Sequence, residues 1–213
     1  MTKKIFFSFW ILLILGTAIV VFNSCNSIKK ITNPAKYDEG VVINGVTWAT
    51  RNVDALGRFA STPESSGMLY QWNRKKAWTA TGDVTDWDSS IPKGDVWKKA
   101  NDPSPSGWRV PTLDEIKTLF DTDKVTNEWI TQNGVNGRKF TDKTTGLFLF
   151  LPAVGSRYFS TGTLSDMGEY GYYWCSMAQD DSSLAYDMSF NSGFAEWFCY
   201  PRRSGISIRP VAK

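Results

Sequence analysis

Histidine is absent from this chain of 213 residues. The sequence therefore cannot supply a Ser-His-Asp triad, a Cys-His pair, a histidine-ligated zinc site or a histidine general base. An excess of charge is also missing, because 24 Lys and Arg against 21 Asp and Glu leave a net charge of +3. Such a balance gives no electrostatic basis for binding nucleic acid. No internal repeat of the kind that builds solenoids is present either.

Aromatic side chains, by contrast, are abundant and make up 15% of the residues. That share argues against disorder, and the chain is long enough to bury a hydrophobic core. We therefore expect a globular domain.

The N-terminus has the pattern of an export signal. A short basic start precedes an uncharged, mostly apolar run over residues 5–22, and Ser24-Cys25 follows. This order is typical of a secretory signal that ends at a lipidated cysteine, although the two residues before Ser24 depart from the usual pattern. We predict a signal peptide over residues 1–24, a lipid on Cys25 as membrane anchor, and an outer-membrane or cell-surface location. An uncleaved transmembrane anchor and simple secretion remain alternatives, and both also place the domain outside the cytoplasm.

Beyond the signal, residues 25–40 are polar and lack a hydrophobic period, which is typical of a tether. We predict one domain over residues 41–213. Asn44-Gly45 lies between two short β-rich runs and predicts a hairpin. Thr112 and Glu115 have the spacing of a capping box and predict a helix that starts there.

The remaining elements give a mixed fold class. A second short helix is expected from about Thr126 to Gln132, ending at Asn133-Gly134. Strands are predicted where β-forming residues follow one another: around Met68–Trp72, from Arg138, and over Leu147–Leu151, Tyr172–Met177, Ala185–Phe190, Ala195–Tyr200 and Ile206–Ile208. The sum is an α+β fold with one or two helices and a mostly antiparallel, loop-rich sheet.

Several short motifs in order resemble a known family. They are Gly45–Val53 (GVTWATRNV), Tyr70–Asn73 (YQWN), Gly107–Thr112 (GWRVPT), Leu151–Ala153 (LPA), Tyr173-Trp174 and Ile208–Val211 (IRPV). Together they resemble the Fibrobacter succinogenes major paralogous domain family of exported bacterial proteins. The resemblance implies a C-type-lectin-like fold, related to the formylglycine-generating-enzyme branch and to variable proteins of diversity-generating retroelements. It further implies a lipoprotein whose C-terminal residues vary.

Residues that could carry chemistry are few. The Asp-rich stretch Asp83–Asp88 lacks the Gly and distal Glu of a calcium loop, and the Glu-Pro-Asn, Gln-Pro-Asp and Trp-Asn-Asp triplets of sugar-binding lectins are absent. Arg109 and Arg209 are expected to pair with a carboxylate or carbonyl oxygen. We therefore expect no metal, no cofactor and no enzymatic activity. A carboxylate-based hydrolase remains an alternative.

Two cysteines follow the predicted lipidation site. In an oxidising compartment Cys175 and Cys199 could form a disulfide, or they could be two unpaired thiols. A formylglycine-generating-like oxidase would use such a pair, but their aromatic neighbours do not lower a thiol pKa.

A binding surface is the function that the residues favour. The stretch from 177 to 203 mixes aromatic side chains with small polar ones, a composition that recognition surfaces use. The predicted ligand face consists of Met177, Ala178, Gln179, Asp180, Asp181, Phe194, Glu196, Phe198, Tyr200, Arg202 and Arg203. Its partner would be a protein or a glycan. A structural or adhesive surface protein without a discrete ligand site remains the alternative, since these aromatics could instead pack into the sheet core.

Overall fold

The computed structural model describes residues 34–180 and 183–213, so the predicted signal peptide, Cys25 and Asp181 lie outside the described residues. Fourteen short strands, one helix and two 3₁₀ turns are described. The strands are β1 Val41–Ile43, β2 Val46–Trp48, β3 Leu69–Tyr70, β4 Ala77–Trp78, β5 Trp108–Arg109, β6 Val125–Gln132, β7 Val135–Asp142, β8 Phe148–Pro152, β9 Ser156–Arg157, β10 Leu164–Ser165, β11 Gly171–Ala178, β12 Leu184–Phe190, β13 Ala195–Pro201 and β14 Val211–Ala212. Helix α1 covers Leu113–Thr118, and the 3₁₀ turns cover Pro34–Lys36 and Lys99–Asn101.

The strands form five small antiparallel sheets. The largest has four strands in the order β1-β2-β14-β5, so the last strand lies between two early ones. Two sheets have three strands, β6-β7-β8 and β11-β12-β13, and two are pairs, β3-β4 and β9-β10.

Two local predictions are confirmed. Asn44 and Gly45 adopt φ of 45° and 79°, which a two-residue hairpin turn needs, and Val41 pairs with Trp48 across it. Thr112 accepts a hydrogen bond from the Glu115 N–H while the Glu115 carboxylate accepts one from the Thr112 N–H, so the capping box starts α1.

The predicted second helix and the α+β, C-type-lectin-like fold class are wrong. Residues 125–132 form strand β6, whose Thr, Trp and Ile residues favour strands. Asn133 and Gly134 have φ of 48° and 82°, so they turn β6 into β7 instead of ending a helix. The described chain is nearly all β, with a single six-residue α-helix.

Sheet β11-β12-β13 is buried on both sides for most of its area. Tyr173, Met188 and Phe190 point into one core cluster, which also holds Ile116 of α1. Trp174 and its face-sharing neighbours point into a second cluster. Apart from the end of β11 at Met177, the part of the sheet that reaches the surface is the part nearest β13, and this position makes it the candidate site.

Residues 34–40 contact the domain and are not a free tether. The Phe59 N–H donates to the Ala35 carbonyl at 2.6 Å, and Asp38 forms an ion pair with Arg51 at 3.1 Å. The folded domain therefore begins before residue 41. None of the helices described, from Pro34 onward, is both long and apolar enough to span a membrane.

The predicted apolar run Leu147–Leu151 is buried only in part. Leu149, Phe150 and Leu151 are buried in β8, whereas Leu147 and Phe148 are exposed where the chain leaves the preceding turn.

Candidate binding surface

Strand β13 presents two different faces. In its register with β12, Phe198 lies opposite Asp187 and Trp197 lies opposite Met188. Side chains alternate between the faces of a strand, so one face of β13 adjoins the first core cluster. We call the other the aromatic face. The residues of β13 on this aromatic face are Glu196, Phe198 and Tyr200.

Five aromatic rings on this side of the sheet contact one another. We call them the aromatic array: Tyr170, Tyr172, Phe194, Phe198 and Tyr200. Tyr172 lies 4.8 Å from Tyr200 between ring centroids, and Tyr170 stacks on Tyr172 at 5.7 Å. Phe194 connects the tyrosines to the edge, at 6.2 Å from Tyr170 and 5.7 Å from Phe198. Phe194 and Phe198 are 37% and 46% exposed, so the array extends from the protein interior to solvent.

Polar groups border the array. The Tyr172 hydroxyl donates to Asp166 at 3.2 Å, and the Tyr200 hydroxyl lies 3.3 Å from the Ser156 hydroxyl. Burial, together with nearby Tyr200 and Asp166, raises the pKa of Tyr172, and burial also raises that of Tyr200. Both phenols therefore stay protonated. The Glu196 carboxylate is exposed beside Phe198, and no ion pair of the described residues includes it.

Asp187 is a fully buried carboxylate beneath Phe198. Burial raises its pKa to about 7, although the Ser189 hydroxyl donates to it at 2.5 Å and opposes that effect. Its other oxygen, Oδ1, has no hydrogen-bond partner. A raised carboxyl pKa is typical of a general acid. However, Asp187 has no exposed surface in this structure, so its carboxyl is not placed to exchange a proton with a bound substrate.

Arg202, which the sequence-based prediction placed on the ligand face, is buried apart from the aromatic array and lines a cavity of about 380 Å³ together with Asp180. Its guanidinium is buried, donates to the carbonyls of Leu184 at 2.8 Å and Gly94 at 2.9 Å, and lies 4.8 Å from the Trp72 ring centroid. Leu184 belongs to the paired strand β12, whereas Gly94 and Trp72 are distant in sequence, and the sequence alone could not bring them to Arg202.

Arg203 also lies apart from the array. It is half-buried, with its guanidinium 4.6 Å from the Phe159 ring centroid and one N–H donating to the Ser89 carbonyl at 3.3 Å. It therefore binds a different aromatic residue from those of the predicted face.

The predicted residues 177–180 lie at the far end of the sheet from Phe194. Ala178 pairs with Ala185, which in turn lies opposite Tyr200. Met177 and Asp180 are exposed, whereas Ala178 and Gln179 are half-buried and take part in main-chain pairing. The structure thus joins Phe194, Phe198 and Tyr200 into one surface, whereas Asp180 and Arg202 line a separate cavity and Arg203 lies over Phe159.

Tyr170 and Tyr172 are array members that the sequence-based prediction missed. Tyr172 starts the predicted strand Tyr172–Met177 and Tyr170 lies two residues before it, a spacing that puts both rings on one face when the extended backbone continues. This alternation, together with the alternation of side chains along β13, could have identified both tyrosines as array members from the sequence.

Cys175 and Cys199 are free thiols, so the suggested disulfide is wrong. They lie on β11 and β13 with β12 between them, a separation of about 9.5 Å for two strand spacings. A disulfide needs Cα atoms within about 7 Å. Burial raises the pKa of Cys175 to about 12 and also raises that of Cys199, which does not suit thiolate chemistry.

Other candidate sites do not show a reactive arrangement. Among residues 34–180 and 183–213, no group of three or more Cys, Asp and Glu could hold a metal ion. A groove of about 560 Å³ is lined by Trp97, Trp108 and Arg109, but Arg109 is bound to Glu115 by hydrogen bonds of 2.8 and 2.5 Å. Arg209 is buried and donates to Asn52 at 2.9 Å, so both arginines have the carboxylate or amide partners expected of structural residues.

No protein-family model, no curated protein and no solved structure matches this chain.

Proposed function

We propose that this protein is an exported lipoprotein that binds a protein or glycan ligand through the aromatic array and catalyses no reaction. The observation that carries the proposal is the exposure of Phe194 and Phe198 at the end of a continuous set of packed rings. Such anchors are rigid and lose little side-chain entropy when they bind.

The surroundings of the array support recognition. Glu196, which forms no ion pair with the described residues, supplies a charge at its rim, and the Tyr170 ring packs against the exposed Phe194, which in turn contacts Phe198. An aromatic centre with a polar rim is the arrangement in which a few residues contribute most of the binding energy.

The resemblance to the Fibrobacter succinogenes major paralogous domain family is part of this proposal. Its motif residues Trp48, Trp72, Trp174 and Arg209 are all buried. These buried residues therefore stabilise the fold and cannot contact a ligand, so the kind of ligand must be inferred from the array.

A screen on a glycan array and a displayed-peptide library, with and without calcium, tests the binding function. We expect ligands that bind the wild-type protein to be lost with Phe198→Ala. Leu56→Ala is the matched control, because Leu56 is an exposed apolar residue outside the array, and it should bind like wild type. Wild-type and Phe198→Ala proteins with the same profile would contradict the proposal, as would the absence of any selective ligand.

The membrane anchor has a separate test. Intact-mass measurement of protein from the membrane fraction should give a mature chain that starts at Cys25 and carries lipid. A species that retains residues 1–24 would contradict the lipoprotein proposal and favour an uncleaved anchor.

A further inference from the structure

The two edges of sheet β11-β12-β13 differ. The outer edge of β11 is paired: Trp174 donates from its N–H to the Ser207 carbonyl at 3.0 Å, and Ser176 to Pro111 at 2.7 Å. Ala178 likewise donates to a loop carbonyl at 2.9 Å. This edge is therefore covered along its length by other segments of the chain.

Among the residues that the structure describes, no segment covers the outer edge of β13 in this way. Alternate residues of an edge strand point their main-chain groups inward and outward. On either side of β13, the Asn191 N–H donates to the Phe194 carbonyl and the Arg202 N–H donates to the Ser183 carbonyl. In the continuous register with β12, the main-chain groups of the even-numbered residues of β13 therefore point inward, toward β12. The N–H and C=O groups of Ala195, Trp197 and Cys199 consequently point outward.

Within the described residues, one of these outward groups has a partner. The Trp197 N–H donates to the carboxylate of its neighbour Glu196 at 3.3 Å. No other strand pairs with β13 except β12.

Strand β13 carries few of the features with which proteins protect an edge: Glu196 is its one charged side chain, and the Lys117 Nζ lies 5.0 Å from the Trp197 ring centroid. Lysines, an internal proline, a bulge or a covering loop normally block such pairing. The register of β13 with β12 is continuous over seven residues, and its one proline, Pro201, is the last residue of the strand. Trp197 and Phe198, at its centre, are both more than a third exposed.

We propose that β13 receives an extended segment of another polypeptide as a fourth strand of the sheet, an inference that rests on the proposed binding function. Main-chain hydrogen bonds to Trp197 and Cys199 would give the affinity, and alternate side chains the specificity. The segment has a basic side chain opposite Glu196, whose charge has no ion-pair partner in the described chain, and apolar side chains opposite Phe198 and Trp197.

A displayed random-peptide library, panned on the immobilised full chain, tests this proposal. Cys199→Pro removes an outward N–H and breaks no hydrogen bond to β12, so it blocks the edge and leaves the array in place. Cys199→Val is the matched control. Peptides with alternating apolar residues and one basic residue should bind wild type and Cys199→Val. Their affinity for Cys199→Pro should fall by about tenfold or more, as expected when a main-chain hydrogen bond is lost.

A second measurement uses wild-type protein alone, in case Cys199→Pro does not fold. An enriched peptide is N-methylated at either of its two alternating sets of residues. The main-chain N–H groups of one set face β13 and those of the other set face solvent. Methylation of the first set alone should therefore abolish binding. Equal binding by both would overturn strand addition.

The remaining outcomes separate strand addition from the proposed function. Glycan binding that Phe198→Ala abolishes, without any peptide enrichment, would retain the binding function and overturn strand addition. Peptides that bind Cys199→Pro and wild type with equal affinity would likewise retain the binding function and overturn strand addition. Self-association of the wild type that Cys199→Pro abolishes would make a second copy the occupant and overturn a foreign strand. The absence of ligands of any kind would overturn both proposals.

Discussion

Replacing Asp187 should change how the stability of this protein depends on pH. The carboxyl is fully buried and has a pKa of about 7, whereas an ordinary aspartate has one near 3.8. Between these values the folded protein keeps the proton and the unfolded chain releases it. The free energy of unfolding therefore decreases as pH rises through this range and levels off above pH 7. At 1.36 kcal/mol per pKa unit, this loss amounts to about 3 kcal/mol between pH 5 and pH 8.

Asp187→Asn removes this dependence because the amide does not titrate. Urea denaturation of both proteins over that pH range measures the difference. The variant should have a nearly constant free energy of unfolding where the wild-type value falls. The two proteins should also differ in stability near pH 5, where Asp187 is still protonated, since the amide must find partners of its own. The slope, and not this difference, is therefore the test.

The chain makes this experiment unusually clean because it contains no histidine, the side chain that ordinarily titrates in this range. Glu196→Gln is the matched control, since Glu196 is an exposed carboxylate on the neighbouring strand, and its curve should run parallel to that of wild type. Parallel curves for wild type and Asp187→Asn would refute the reasoning, because Asp187 would then be ionised in the folded protein.

Three further predictions concern the array, its margin and the thiols. Phe198→Ala should change the free energy of unfolding by less than about 1 kcal/mol, whereas Trp108→Ala should cost about 3–5 kcal/mol in chemical denaturation; equal losses would make Phe198 a core residue. Arg202→Lys should lower stability by about 3 kcal/mol or more, because the compact lysine ammonium cannot reach the separated carbonyls of Leu184 and Gly94 that the planar guanidinium bridges, and an unchanged denaturation midpoint would contradict the buried role. Mass spectrometry after alkylation should find Cys175 and Cys199 both reduced, with Cys175 labelled only after unfolding; a linked pair would contradict the strand order.

Local patterns were sufficient to predict some elements of the fold but not the fold class. The capping box of Thr112 depends on residues three apart, and the structure confirms it. The dipeptide Asn-Gly occurs at 44–45 and at 133–134 and forms a hairpin turn in both places. The sequence-based prediction was correct only for the first, because residues in the left-handed conformation can end a helix or form a hairpin turn. Long-range pairing of β6 with β7 decided between these two interpretations.

The candidate site was predictable where it follows from alternation within one strand. Phe198 and Tyr200 share a face of β13 by period alone. The role of Arg202 was not predictable. One of the carbonyls to which it donates belongs to Gly94, more than a hundred residues earlier in the chain. Cys175 and Cys199 likewise required the strand order, which places β12 between them.

The position of β14 between β2 and β5 has a consequence for the order of events during biogenesis. Val211 pairs with Trp48 and Arg109, so strands made early have no central partner until residue 211 is available. Closing so long a loop is entropically costly and slows folding. A chain that emerges N-terminus first would therefore stay without its four-stranded sheet through almost all of its translation. Chains that terminate before residue 211 would lack this sheet and be exposed to proteolysis.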